Sequence, residues 1–158
     1  MKLRNFYIFL PGRSLIFELR LLPLVTSMTL QKAVYKNAWP YQQDKMNLPV
    51  KDTDEAVPFY TTIMGFTIIN STDSPVKSVT IGRDDIQIRL AENGGDPTQD
   101  GCFFEVDNVE RAFSELKSNG LVKEISGMDI QKENDTSWKV FFVVAPDGLC
   151  YCIGERQP

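Results

Sequence analysis

The sequence predicts an α+β fold of two modules, each a strand, a helix and three further strands, paired into an incomplete barrel around a central cleft. The first observation behind this prediction is that one strand–helix–strand–strand–strand pattern runs twice along the chain. The second is that the two halves align at an offset of 56 residues, with Val50 on Val106 and Ala56 on Ala112, which indicates internal duplication. The third is that 42% of the 158 residues are hydrophobic, enough for one domain with a sizeable core.

The first module is predicted to span about residues 44–92. Residues 45–50 alternate between polar and apolar side chains, which is typical of a strand. Asp52 then supplies a helix cap, and apolar residues at helical spacing continue to Gly65, where we expect the helix to end. Pro58 is tolerated only near a helix start, so an irregular first turn is expected. Three short strands follow, at residues 66–69, 76–81 and 86–90.

The second module is predicted to span about residues 100–155. Residues 102–106 form its first strand, either Asp107 or Asn108 caps the helix, and Gly120 closes it. Three strands and one enlarged polar loop are then expected, the strands at 121–125, 138–144 and 150–153 and the loop at 127–137.

Residues 1–40 precede this regular pattern and are assigned to an N-terminal extension, which leaves residues 41–158 as the domain. The first 28 residues are rich in Leu, Ile and Phe, but prolines, a glycine and charged side chains interrupt them. A membrane-spanning helix needs roughly 20 nearly uninterrupted apolar residues, so no membrane span is expected. The extension is expected to be either a poorly ordered tail or sequence upstream of the true start, which would then be Met28.

Composition excludes several classes of function. The formal net charge is −4 and no dense run of Lys and Arg is present, which argues against a nucleic-acid partner. The three cysteines, Cys102, Cys150 and Cys152, are poorly spaced for a disulfide, so a reducing, cytoplasmic setting is expected. Histidine is absent, which removes Ser-His triads and the common metal sites built on imidazole.

Short motifs in both halves resemble those of the vicinal oxygen chelate superfamily, which includes glyoxalase I, extradiol dioxygenases and bleomycin resistance proteins. The motifs are Leu48-Pro49-Val50-Lys51-Asp52, Met64-Gly65-Phe66, the run from Phe104 to Val109, and Ala145-Pro146-Asp147-Gly148. The resemblance covers about residues 44–155. It implies the glyoxalase-like fold of paired modules, a cleft that binds a small organic molecule, and a homodimer.

The resemblance also implies where the metal-dependent members of this superfamily would hold a divalent ion. These positions are Lys45, Gly101 and Cys152, with Gln87 or Arg89 on the fourth strand. Protonated Lys and Arg cannot ligate a metal, and Gly has no side chain. We therefore expect no metal cofactor, with a divalent metal on Gln87, Glu105 and Cys152 as the alternative.

The predicted ligand-binding residues come from both modules, and each has a structural interpretation that stays open. Lys45 and Arg89 suit an anionic or carbonyl-bearing ligand, but they equally suit strand ends in solvent or a nearby carboxylate such as Glu105. Aromatic residues on strands can line a pocket or fill the core. Cysteines can pack as small apolar groups or bind a soft metal. The predicted set is Lys45, Asn47, Gln87, Arg89, Trp138, Tyr151 and Cys152.

Three functions follow as hypotheses. The first is a protein of the bleomycin-resistance type that binds a small organic molecule without metal. The second is an enzyme, a lyase or isomerase of the glyoxalase type with non-standard metal ligands. The third is an interaction domain that retains the scaffold without its chemistry. The residues alone do not decide whether the chain is catalytic, because fold does not imply function.

Overall fold

The computed structural model describes residues 31–42, 44–122 and 127–158. A π-helical turn at Phe59–Ile63 and a 3₁₀ turn at Pro97–Gln99 accompany the main elements. In chain order these are β1 (Tyr35–Pro40), β2 (Leu48–Pro49), α1 (Thr53–Pro58), β3 (Thr67–Thr72), β4 (Ser78–Arg83), β5 (Ile86–Ala91), β6 (Gly101–Val106), α2 (Val109–Ser118), β7 (Asp129–Glu133), β8 (Thr136–Val144) and β9 (Cys150–Gln157).

Each module builds one sheet, and both sheets have the same strand order. The first sheet runs β2-β5-β4-β3, and the second module runs β6-β9-β8-β7 with β1 added beside β6. In both modules the first strand is parallel to the fourth. This shared topology is what internal duplication predicts, and the α+β fold of two modules is confirmed. Within the described residues the two sheets do not close into a barrel.

Strand β1 comes from the segment that the sequence analysis assigned to the extension. It pairs antiparallel with β6, and its Tyr35 and Ala38 are buried in the core. A bulge between Tyr35 and Asn37 interrupts the alternation, so the period-two pattern that would have predicted this strand is broken. The predictions made for residues 1–30 lie outside the described residues.

Both helices begin at a capping side chain. Asp52 accepts hydrogen bonds from the N–H groups of Asp54 and Glu55, and Asn108 accepts one from Arg111. The expected irregular first turn of α1 is wrong, because Pro58 lies at the end of the helix. The backbone there continues as the π-helical turn, since proline has no N–H and its ring crowds the preceding turn.

Two segments differ from the predicted strands. Of residues 45–50, only Leu48 and Pro49 pair with β5, because Lys45 and Met46 form a turn in which Asp44 accepts from the Met46 N–H. In the second module, β7 lies inside the segment predicted as a loop and forms a hairpin with β8. All of β7 is exposed, so it lacks the apolar alternation by which strands are recognised. Most of the strand predicted at 121–125 lies outside the described residues.

One hydrophobic core joins the inner faces of the two sheets, on which the helices pack. Phe113 of α2 meets Phe141 of β8 with 5.4 Å between ring centroids, and Tyr60 after α1 meets Tyr151 of β9 at 5.9 Å. The opposite face of each sheet, here called its outer face, is not covered by a helix in the described part of the chain. No described helix is long and apolar enough to cross a membrane.

Candidate functional site

The outer face of the second sheet carries a set of aromatic side chains, Trp39, Phe103, Trp138 and Phe142, which we call the aromatic face. Strand register places Trp39 beside Phe103, Phe103 beside Cys152, and Cys152 beside Phe142. Residues paired across neighbouring strands point to the same side of a sheet. Trp138 lies four residues before Phe142 on β8, so strand alternation places it on this side too.

Three of these rings contact one another. The centroids of Phe103 and Trp138 are 4.9 Å apart, those of Trp39 and Phe103 5.7 Å, and those of Trp39 and Trp138 6.2 Å. Each such pair contributes about 0.5–1.5 kcal/mol beyond its buried area. Trp39 is nevertheless 46% exposed. Phe103, Trp138 and Phe142 are half-buried, so the face is partly open to solvent with Trp39 as its most exposed ring. A partly exposed cluster of aromatic side chains is a candidate surface for a ligand or a partner.

The rings cover a layer of small side chains. Gly154 lies beneath Phe103, since a Cβ at Gly154 would come 2.6 Å from the ring. Val140 and Cys152 are both buried, but neither belongs to the core between the two sheets. The aromatic face therefore has its own packed base, which holds the rings in place.

Tyr41 follows β1 and lies near the thiols of Cys150 and Cys152. Its side chain is 44% exposed as a whole, but burial around its hydroxyl, together with the neighbouring Cys152 thiol, raises the pKa of Tyr41 above its ordinary value. Its backbone N–H donates to the carbonyl of Gly101 (3.0 Å), which ties the residue to the start of β6. At neutral pH the phenol is protonated, so it can donate a hydrogen bond to a ligand.

The three cysteines do not converge on one point. Cys150 and Cys152 lie on the outer face, whereas Cys102 is in register with Tyr151 on the inner face. Burial raises the pKa of Cys102 and of Cys152 to about 12, and it also raises the pKa of Cys150. Among the described residues, no group of three or more His, Cys, Asp and Glu side chains is placed to hold a metal ion.

The positions that the resemblance assigns to a metal do not fit one. Gly101 has φ +153° and lies so close to β9 that a Cβ there would overlap the carbonyl oxygen of Cys150. Arg89 donates from Nε to the Met46 carbonyl (2.6 Å), which gives its guanidinium a structural partner. Cys152 is 3% exposed and lies in the packed layer beneath the aromatic rings.

The alternative metal set is divided between the two sheets. Gln87 lies on β5 of the first sheet, whereas Glu105 and Cys152 lie on the second. Glu105 accepts a hydrogen bond from the Asn37 amide (2.5 Å). Lys45, for which the sequence analysis named Glu105 as a possible carboxylate partner, lies near Cys102. The set stays a prediction.

Strand alternation places the ligand-binding residues predicted on β8 and β9 on different faces of the second sheet. Trp138 and Cys152 belong to the outer face of the second sheet. Tyr151 does not, because it lies on the inner face, is fully buried and donates from its hydroxyl to that of Tyr60 (2.9 Å). Gln87 and Arg89 lie on the first sheet, and no hydrogen bond or ion pair in the described parts of the chain joins them to the aromatic face.

Two of the predicted ligand-binding residues, Asn47 and Gln87, line grooves away from the aromatic face. Asn47 lines a polar groove of about 550 Å³ together with Asp44 and Asp96. Gln87 lines a groove of about 360 Å³ beside Arg83. The aromatic residues line neither groove, and no described helix covers them.

Sequence reasoning missed three members of this surface. Trp39 fell in the segment assigned to the extension, where the bulge hides the strand, and Phe103 and Phe142 were not in the predicted set. Phe142 could have been found, because a strand containing Trp138 places Phe142, and not Phe141, on the same side.

Over residues 42–137 the sequence matches the profile of the Glyoxalase/Bleomycin resistance protein/Dioxygenase superfamily. The fold is similar to that of a bleomycin resistance determinant encoded on the transposon Tn5, with 21% identity and a TM-score of 0.59 over 74% of this chain and 99% of that one. It is also similar to a bleomycin-binding protein complexed with bleomycin, with 22% identity and a TM-score of 0.59 over 73% of this chain and 99% of that one.

A third similar structure is a bleomycin-binding protein from bleomycin-producing Streptomyces verticillus, complexed with copper(II)-bleomycin. It is 15% identical, with a TM-score of 0.53 over 70% of this chain and 93% of that one. No curated protein matched the chain. At these identities the structural similarities show a shared fold.

Proposed function

Since the chain belongs to the Glyoxalase/Bleomycin resistance protein/Dioxygenase superfamily, we propose that it binds a small organic molecule on the aromatic face of its second sheet. The observation that carries this proposal is the exposed contact of Trp39 with Phe103 and Trp138. Large flat rings offer a ligand apolar area and stacking at a low cost in side-chain entropy. Two of the structurally similar proteins are described as complexes with bleomycin or copper(II)-bleomycin.

Polar groups at the margin of the aromatic face would orient the ligand. The Tyr41 hydroxyl, a phenol that is protonated at neutral pH and lies near Cys152, is one donor. Glu105 and Arg156 project from the same side, since their neighbours in register are Gly154 and Trp138. A flat molecule with a few hydrogen-bonding groups suits this arrangement of apolar centre and polar margin.

We propose further that binding does not use a divalent metal. The support is the chemistry of the residues at the metal positions: Gly101 has no room for a side chain, and Cys152 is a buried thiol. Metal analysis of protein purified without chelator tests this. Stoichiometric zinc, nickel, manganese or iron would overturn it and would favour the lyase or isomerase hypothesis with Gln87, Glu105 and Cys152.

The protein is proposed to act as a homodimer, because the aromatic face is an open surface that a second copy could close. The outer face of the first sheet is also open, and Ile69 on it is 50% exposed. Packing this face of one copy against the aromatic face of another would turn two open surfaces into an enclosed site. Light scattering after size-exclusion chromatography tests the assembly. A monomer at all concentrations would overturn it, and Ile69→Asp should shift a dimer toward monomer.

Binding is tested by titrating the full chain with metal-free bleomycin and a panel of flat aromatic compounds, followed by tryptophan fluorescence and thermal shift. A compound at 100 times its dissociation constant should stabilise the protein by about 2.7 kcal/mol. Trp39→Ala and Phe103→Ala should weaken binding tenfold or more. The matched control is Ile130→Ala, an exposed apolar residue of β7 that points to the other side of the sheet. Equal binding by all three variants would place the site elsewhere.

A further inference from the structure

The backbone N–H groups of residues 33–35, at the start of β1, are bound by side chains. The N–H of Ala33 donates to Glu115 Oε2 (3.3 Å), that of Val34 to Asp107 Oδ1 (2.8 Å), and that of Tyr35 to Asp84 Oδ2 (2.9 Å). We call these three acidic residues, Asp84, Asp107 and Glu115, the carboxylate bracket. Three consecutive backbone donors thus bind three carboxylates that come from distant parts of the sequence.

The carbonyl groups of the same three residues are bound as well. Arg83 Nη2 donates to the Ala33 carbonyl (3.0 Å), and the backbone N–H groups of Asp107 and Asp85 donate to those of Val34 (3.0 Å) and Tyr35 (3.3 Å). Every backbone polar group of residues 33–35 therefore has a fixed partner. Backbone groups satisfied in this way cannot shift along the chain without losing several hydrogen bonds together.

Two arginines orient the bracket. Arg83 lies 2.7 Å from Glu115 Oε2 through Nη2 and 3.5 Å from Asp84 Oδ2 through Nε, and Arg111 lies 3.6 Å from Asp107 Oδ2. The side chains of Arg83 and Glu115 are 5% and 3% exposed, so solvent does not compete at that pair. Asp84 comes from the first module and the other two carboxylates from the second. The bracket thus forms only when the two modules are docked.

Strand β1 needs such a fixed point. Among the described strands it pairs with β6 alone, and the bulge between Tyr35 and Asn37 shifts its register. A one-residue slip of a strand turns every side chain to the other face of the sheet. A slip would therefore turn Trp39 toward the core and bring Ala38 to the aromatic face.

We infer that Asp84, Asp107 and Glu115 are positioning residues for the ligand site, which set the register of β1 and thereby place Trp39 and Tyr41 on the aromatic face. This inference rests on the proposed function for its consequence in binding, but not for its structural content. Asp107 follows the last residue of β6, whereas Trp39 pairs with Phe103 nearer the start of that strand. Asp107 would therefore act on the aromatic face through the register of β1.

Hydrogen exchange measured by mass spectrometry on the full chain tests the inference without a ligand. Asp107→Ala should accelerate exchange of the peptide covering residues 35–42 by about tenfold or more, while peptides from β8 and β9 keep their rates. Asp107→Asn retains an oxygen acceptor for the Val34 N–H and should restore slow exchange. The matched control is Asp129→Ala, which removes an exposed carboxylate of β7 that accepts only from its neighbour Ile130 among the described hydrogen bonds.

Acceleration of all peptides by one common factor, or no change in residues 35–42, would overturn the inference. If Asp107→Ala does not fold, Asp84→Gly gives the same test, because φ is +49° at Asp84 and glycine tolerates that backbone. A failed ligand titration leaves this result intact. Conversely, if the protein binds a ligand through Trp39 but Asp107→Ala causes no local change in exchange, the proposed function stands and the inference about the carboxylate bracket is wrong.

Discussion

The ring of Phe103 on β6 lies against Gly154 on β9. Gly154 is in register with Glu105, which lies two residues after Phe103 on β6. A Cβ at Gly154 would come 2.6 Å from Phe103 Cζ and 3.0 Å from a methyl of Val140. The aromatic face thus depends on a position that carries no side chain.

Gly154→Ala is therefore expected to push the Phe103 ring away from the sheet. Overpacking of this kind costs about 1–3 kcal/mol, which urea denaturation would measure. Tryptophan emission should shift as well, because Phe103 contacts both Trp39 and Trp138. Gly127→Ala is the control, since nothing lies within 4 Å of a Cβ there. Equal stability and emission in the two variants would show that the ring is free to move.

Removal of Glu115 should destabilise the whole domain. Glu115→Ala leaves the buried Arg83 without its nearest carboxylate partner and with Asp84 at 3.5 Å, and breaking a buried ion pair costs about 3–5 kcal/mol. The comparison is Lys139→Ala, which breaks the solvent-accessible pair with Glu110 and should cost about 0–1 kcal/mol. Urea denaturation of both variants measures the difference. Similar losses in the two would mean that the other partners that Arg83 already has, Asp84 and the Met64 carbonyl, suffice to stabilise it.

Asp147 should make stability depend on pH. Burial raises the pKa of its carboxyl above the ordinary 3.8, although the Leu149 N–H and the Tyr60 hydroxyl donate to it. The folded state therefore binds the proton more tightly than the unfolded chain. The resulting stability is fully present below pH 3.8 and is lost as pH rises through the raised pKa.

The measurement is the free energy of unfolding of the wild type minus that of Asp147→Asn, taken across acidic pH. This difference should decrease as pH rises through that window. The same subtraction with Asp129→Asn, an exposed carboxyl, serves as the reference. A difference that increases with pH would mean that the hydrogen bonds to Asp147 outweigh its burial.

The three thiols should differ in reactivity. At pH 8 a thiol with a pKa of about 12 is almost wholly protonated, so iodoacetamide should leave Cys102 and Cys152 unlabelled in the native protein. Cys150 is only half-buried and should react first, though slowly because its pKa is also raised. Mass spectrometry of native and urea-unfolded protein gives the pattern. Rapid native labelling of Cys152 would contradict the packed base described beneath the aromatic rings.

Much of the fold could be predicted from local sequence. Asp52 and Asn108 predict the starts of their helices because a capping side chain accepts hydrogen bonds from backbone N–H groups only two or three residues away. Strand β5 alternates Ile86, Ile88 and Leu90 with Gln87 and Arg89 because one of its faces is buried in the core. Strand β7 escaped detection because neither of its faces is buried, and β1 because a bulge breaks its period.

The candidate site was only partly predictable. Trp138 and Cys152 were proposed from their places on strands, but Tyr151 was proposed with them although it is adjacent to Cys152 and so points to the opposite side. Lys45 and Arg89 were proposed as a cationic pair for a ligand, whereas Arg89 binds the Met46 carbonyl. Which backbone carbonyl an arginine will reach depends on a turn that its own sequence neighbourhood does not contain.

By itself the sequence determined the duplicated modules, the absence of imidazole and the membership of the superfamily, because these depend on residue identity and on spacing within a few turns of chain. Only the tertiary structure decided that β1 joins β6, that Trp39 meets Trp138, and that three carboxylates hold residues 33–35. Those contacts join residues 49 to 99 positions apart, as in Tyr35 to Asp84 and Trp39 to Trp138. Their geometry follows from how the two modules pack, which no local pattern encodes.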